Sequence, residues 1–329
     1  MQDRRDFLKT GFSIAAAGLA GAVAIAGARR SLAAEAPPET TSVRIAQYPP
    51  SCGAPLYIVD DLLREEGFAD VRYVPNGKYA EVDFVADLSG PTIIPIETGE
   101  PIVMLAGIHP GCVELFARET IHGVLDLRGR NVGVISIGSS AQVLVSLIAA
   151  SVGLDPAKDI NWVYHGQRDQ KELFAGGEID AFLTFPPETQ DLHARNFGHV
   201  ILNSTLDRPW SQYLCCMLIG NLDFVRRNPI ATKRFVRAMV RATDICAAKP
   251  DWVAQRLVDR GFTPRYDSAQ QGLEEIPYSN WRDYDPEDTV RFYALRLREL
   301  GMIKSSPDKI VATGTDWRFI TEVRKELGI

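Results

Sequence analysis

Residues 208–217 read RPWSQYLCCM, and their types admit three chemistries. Paired thiols could hold a metal, one thiolate could act as a nucleophile, or the tryptophan and tyrosine could wall a pocket beside Ser211 and Gln212. The spacing argues against the first. Adjacent residues of a strand point to opposite faces, so Cys215 and Cys216 do not converge on one ion in a regular strand. HExxH and CxxC motifs are absent, and the five histidines are scattered at 109, 122, 165, 193 and 199. Five cysteines in 329 residues make no disulfide framework, and their odd number leaves one unpaired within a single chain. The expectation is no metal site, no cofactor, and two cysteines that pack as small hydrophobes in a strand.

Other residues carry binding rather than catalytic chemistry. Gly138-Ser139-Ser140 stand where a β-branched run, NVGVISI, meets an apolar-periodic helix. A helix start offers unpaired N–H groups and a dipole that favours an anion, and two hydroxyls add directional donors. An ordinary N-cap reads the same way. Ser51 to Ala54 form a second such start. Tyr48, Phe185, Trp210 and Tyr213 supply aromatic surface, which suits a largely apolar pocket and equally suits a core. Asp87 and Glu188 do not suit a simple oxyanion; facing a cleft, they favour an amine, a ring N–H or hydroxyls. A glycosidase pair would need a fixed carboxylate separation that no spacing here supplies.

The ends of the chain set the context. MQDRRDFLK precedes a weakly apolar run, Gly11 to Ala28, and an Ala-rich exit. That pattern is an export signal over residues 1–34, with cleavage near Ala34 or Ala36. A membrane span would want roughly 20 more strongly apolar residues. Arg4-Arg5 before Phe7, Leu8 and Lys9 resemble the twin-arginine signal, which implies export of an already folded chain to the periplasm. Removing residues 1–34 takes five basic and two acidic residues from totals of 36 and 42, leaving a net charge of −9. A nucleic-acid partner would need a basic footprint instead.

Between the ends, elements alternate. Strands are expected at 42–50, 70–75, 82–88, 101–108, 131–137, 199–204 and 214–220, and within the run ending at Phe185. Helices are expected at 54–68 and 92–99, after Gly138, and after Pro186-Pro187. From Asn221 onward the pattern is almost wholly helical, including 284–303 and 315–327. Strand–helix–strand intervals indicate mostly parallel sheets covered by helices.

The segments APLYIVDDLLREEGF, TGEPIVMLAG, DLRGRNVGV followed by GSS, ELFAGGEIDAFLTFPPE and DPEDTVRFYALRLRELGMI together resemble the type II periplasmic substrate-binding proteins. More narrowly, they resemble the nitrate/sulfonate/taurine-type group, which shares its fold with thiamine-pyrimidine synthases. The resemblance implies a two-lobe α/β fold, with residues 42–112 and 217–329 in lobe 1, 113–216 in lobe 2, and a helical C-terminal tail. It implies a monomer that captures a small solute between lobes and delivers it to an ABC permease. Carried over residue by residue, the cleft takes Gln47, Tyr48, Ser51, Cys52, Asp87, Ser89, Ser139, Ser140, Phe185, Glu188, Trp210 and Tyr213. His109 to Cys112 occupy the outward crossing. Two rivals remain at this point: a pyrimidine-synthesis-type enzyme, and a sensor that partners a membrane receptor. The yeast synthases carry a fuller cysteine cluster than LCCML, which counts against the enzyme.

Overall fold

Two five-stranded sheets organise the protein, and each contains one strand that runs against the others. In the computed structural model, which describes residues 35–47 and 53–329, the strands are β1 (Ser42–Gln47), β2 (Asp70–Pro75), β3 (Phe84–Leu88), β4 (Ile102–Pro110), β5 (Glu114–Ala117), β6 (Asn131–Val134), β7 (Asn161–Tyr164), β8 (Ala181–Thr184), β9 (His199–Asn203) and β10 (Leu214–Asn221). The first sheet has the order β2-β1-β3-β10-β4 and the second β7-β6-β8-β5-β9. β10 is antiparallel to both neighbours, and so is β5. These two are the strands by which the chain enters one sheet after leaving the other. Seven of the eight residues of β10 are buried, as a near-continuous apolar run covered on both faces must be.

Helices cover the sheets: α1 (Ser140–Ser151), α2 (Glu188–Ala194), α3 (Pro229–Ala248), α4 (Tyr266–Glu275) and α5 (Pro286–Glu299) matter most here. Proline at the first position of α3 and α5 has no N–H to leave unsatisfied and presets the helical φ. α3 buries Phe235, Val236, Met239 and Val240 under the first sheet, where Phe235 stacks on Phe84 at a 3.8 Å centroid distance. Each aromatic ring buried this way stabilises the fold by about 1.5–3 kcal/mol. A second, smaller cluster of Phe116, Leu173, Phe174, Ile179, Phe182 and Leu192 lies on the second sheet. Every element named here lies within residues 37–329, which form one compact unit.

Several boundaries differ from the sequence expectations. The helix at 54–68 is two short helices, Ala54–Ile58 and Asp60–Glu65. The strand expected to 137 stops at Val134, and Ile135 and Ile137 stand exposed in the turn before α1. β5 and β7, four residues each, are short enough to escape a periodicity reading. The export signal expected over residues 1–34 lies outside the described residues.

Candidate functional site

The two crossings between sheets run side by side. Outward, β4 ends at His109-Pro110 and the chain passes Gly111, Cys112 and Val113 to Glu114 at the start of β5. Gly111 is required: its φ is +49°, and a Cβ there would stand 2.4 Å from Thr205 Cα. The hydroxyl of Ser204 accepts from the backbone N–H groups of Cys112 (3.1 Å) and Val113 (2.8 Å). On the way back, Ser89 donates both its N–H (2.8 Å) and its hydroxyl (3.1 Å) to the carbonyl of Cys215.

Two hollows flank these crossings. One is an apolar crevice of about 10 Å³ between Leu88, Pro91, Val113, Leu144, Ile148, Trp210, Cys215 and Tyr293. Its side chains nearly fill it: Trp210 is 3% exposed and its ring lies 6.3 Å from that of Tyr293. The other is a cavity of about 480 Å³ whose walls combine apolar surface, from Pro186, Leu206 and Ile276 among others, with several polar groups. Glu114, Asn203 and Thr205 reach it from the strand ends of the second sheet, Thr189, Gln190 and His193 from α2, and Gln271 and Glu275 from α4.

The cavity is centred on a carboxylate. Glu114 is 7% exposed and accepts His193 Nε2–H and an Asn203 Nδ2–H, both at 2.7 Å. Burial pushes its carboxyl above the ordinary glutamate range, opposed by His193 and Asn203 and reinforced by the charge of Glu275. Across the cavity, Gln190 Nε2 donates to Glu275 Oε2 at 2.7 Å, joining α2 to α4. The lining holds two carboxylates, three side-chain amides and an imidazole, and no lysine or arginine.

The residues expected to form the site are distributed differently. Trp210 lines the filled crevice, not the cavity, and Tyr213 stacks on Phe292 at 3.9 Å. Ser89 holds the Cys215 carbonyl. Asp87 accepts the Tyr79 hydroxyl at 2.8 Å and the Leu88 N–H at 2.7 Å. Ser139 is the N-cap of α1, its Oγ accepting from Gln142 N at 3.4 Å, and Ser140 is the first residue of that helix. Gln47 closes β1, its carbonyl accepting from Asn76 N. Phe185 packs half-buried against the main core. Glu188 pairs with Lys171 and accepts the Thr184 hydroxyl at 2.9 Å. Tyr48, Ser51 and Cys52 lie outside the described residues. None of the described residues in the expected set lines the cavity. Glu114, Gln190, His193 and Asn203 are the residues that sequence reasoning missed. A glutamate opening the apolar run VELFA was the available signal.

Cys215 and Cys216 are buried in β10, as expected of small hydrophobes in a strand. Register shifts on either side of Cys216 interrupt the alternation of β10 against β4, and Cys216 stands opposite His109. Cys112 Sγ lies 3.1 Å from Cys215 Sγ, and the ligating atoms of His109, Cys112 and Cys216 all lie within 4.8 Å of one another.

The topology and the paired crossings decide the architecture. The chain has the two-lobe, type II periplasmic binding fold. Residues 114–257 match the NMT1-like family model. Among solved structures with this fold, the periplasmic nitrate-binding protein NrtA from Synechocystis PCC 6803 superposes with a TM-score of 0.76 at 16% identity, over 89% of this chain and 90% of that one. The periplasmic sulfonate-binding protein SsuA from Methylobacillus flagellatus KT gives 0.64 at 19% identity, over 88% and 95%. A desulfurization enzyme, DSZB, gives 0.60 at 14%, over 87% and 99%. The binding fold therefore carries both capture and catalysis. No curated protein matches the sequence.

Proposed function

We propose that this protein is an exported, monomeric solute-binding protein of the periplasm that captures a small organic solute bearing an amine or ring N–H and delivers it to an ABC permease. The observation that carries this reading is the cavity around Glu114, with its convergent carboxylates and amides. Its volume suits a small organic molecule. Its walls join strand ends of the second sheet to α4, so a solute held there would be gripped from both sides. Two carboxylates without a cationic side chain favour hydrogen-bond donors and positive charge over nitrate or a sulfonate. The reading is one of capture and release, with no bond made or broken. Arg4 and Arg5 support delivery by the twin-arginine machinery.

The test is a thermal-shift screen of protein unfolded and refolded to strip carried-over ligand, against amines, pyrimidines, aromatic acids, sulfonates and nitrate. Amines or N–H-bearing heterocycles should raise the melting temperature. Calorimetry on Glu114→Gln should then show binding weakened by about tenfold or more, equivalent to about 1.4 kcal/mol. Stabilisation by nitrate or sulfonates alone would sink the solute class, and consumption of the solute would sink the transport role.

A further inference from the structure

We propose that His109, Cys112 and Cys216 form a buried zinc(II) site that ties the outward crossing of the chain to the return crossing. The proposal does not rest on the solute reading, although Cys112 also reaches the wall of the cavity around Glu114.

Three observations converge. The first is composition: imidazole and thiolate are zinc donors, and one of the former with two of the latter match the sites that keep a fourth position open. The second is distance. The three ligating atoms already lie within 4.8 Å of one another, whereas a tetrahedral zinc with bonds of about 2.0–2.3 Å needs them about 3.5–3.8 Å apart. A contraction of at most about 1.0–1.3 Å closes the set around an ion. The third is how the backbone achieves this. The shifted register sets Cys216 opposite His109, while the turn at Gly111 brings Cys112 back beside both. Residues distant in sequence thus converge from two strands.

The imidazole is oriented for the task. His109 Nδ1 lies 3.2 Å from the Pro110 carbonyl and 3.3 Å from that of Gly111. Carbonyl oxygens only accept, so Nδ1 carries the proton and Nε2 carries the lone pair. A backbone carbonyl on the second ring nitrogen is the usual outer support of a metal-bound histidine. The ring is also held edge-on by Tyr278, at 5.3 Å.

Charge selects the ion. All three side chains are buried, with His109 0%, Cys112 4% and Cys216 3% exposed. Two thiolates and a neutral imidazole around zinc(II) sum to zero, which avoids leaving a net charge in the interior. Binding displaces two thiol protons to solvent, and no electron moves. A neutral fourth donor such as water keeps that sum at zero.

The test uses the full chain purified without chelators. Elemental analysis should find one equivalent of zinc, retained in Cys246→Ser, whose thiol is buried elsewhere on α3, and lost in Cys216→Ser and His109→Gln. Cobalt(II) added to the zinc-stripped, reduced wild type should give the intense sulfur-to-cobalt charge-transfer band and tetrahedral ligand-field bands. That spectrum decides the matter even where a variant fails to fold. A wild type that takes up neither zinc nor cobalt overturns the proposal. So does a Cys112–Cys215 disulfide in the native peptide map, or iron or copper in place of zinc.

Discussion

The filled crevice and the open cavity are built from the same stretches of chain. Val113 faces the crevice and Glu114 the cavity; Ser204 belongs to the crevice, and Asn203 and Thr205 on either side of it belong to the cavity. Alternation of successive side chains about an extended backbone is enough to send neighbours to opposite sides. One side is packed with Trp210, Tyr293 and aliphatic groups; the other sets the Glu114–His193–Asn203 and Gln190–Glu275 hydrogen bonds around a space. The difference teaches that being near the lobe junction does not make a residue a ligand contact. Whether side chains already fill the space separates packing from binding.

The sharpest way to break this contrast is Trp210→Ala. If the ring is packing, its loss should destabilise the protein by about 3–5 kcal/mol, the cost of emptying a large aromatic from a core. Solute affinity of the folded fraction should hardly change. Urea denaturation paired with calorimetry separates the two quantities. Affinity lost with stability retained would instead make Trp210 the solute anchor that its sequence context suggests.

Acidification should separate the cavity from the body of lobe 1. The Glu114 carboxyl is raised above 4.5, so affinity for a cationic solute should fall as the pH drops through that raised value. Conversely, the contribution of Glu114 to stability is full below 4.5 and is lost as pH rises through its folded pKa. Asp60, in lobe 1, behaves oppositely. Burial alone would raise it, but a bidentate pair with Arg260, aided by Arg256 and Arg64, holds it below 3.8. Its contribution is present above 3.8 and lost only below that. Titrating affinity and melting temperature together should show binding failing at a pH where the Asp60 pair is still intact. Coincident loss of both would remove Glu114 from the site.

The smallest effect belongs to the rim. Arg265, preceding α4, pairs with Asp191 on α2 beside the cavity, and the arginine is half exposed. Arg265→Ala should cost no more than about 1 kcal/mol, less in high salt. Chemical denaturation at two ionic strengths measures it. A larger, salt-insensitive loss would show that this contact holds the helices around the cavity.

The layered architecture was legible because long apolar strands and amphipathic helices announce themselves by period, as 214–220 and 284–303 do. The resemblance supplied the two-lobe arrangement. The cavity was not legible, for physical reasons. Glu114, His193 and Asn203 come from a four-residue strand, a helix and a strand end, and only the antiparallel pairing of β5 with β9 brings the first and last into contact. The burial of Cys215 and Cys216 in a strand was legible, but the approach of Cys216 to His109 and Cys112 was not, because spacing predicts a side only while the ladder is regular and the register shifts at Cys216 break that condition. HPGC at 109–112 has the spacing of a ligand pair, but the sequence places it only on the outward crossing.

The position of β10 also sets an order of events during synthesis. Its place between β3 and β4 leaves the first sheet split until residue 221 has been made. The second sheet, by contrast, is complete once residue 203 exists, and all of its strands are contiguous in the chain. On the ribosome, the inserted lobe can therefore finish first, while the earlier-made strands β1 to β4 wait with an unfilled slot. A chain that stalls after residue 203 would hold one closed sheet and one with two exposed inner edges, the form most open to pairing with another copy.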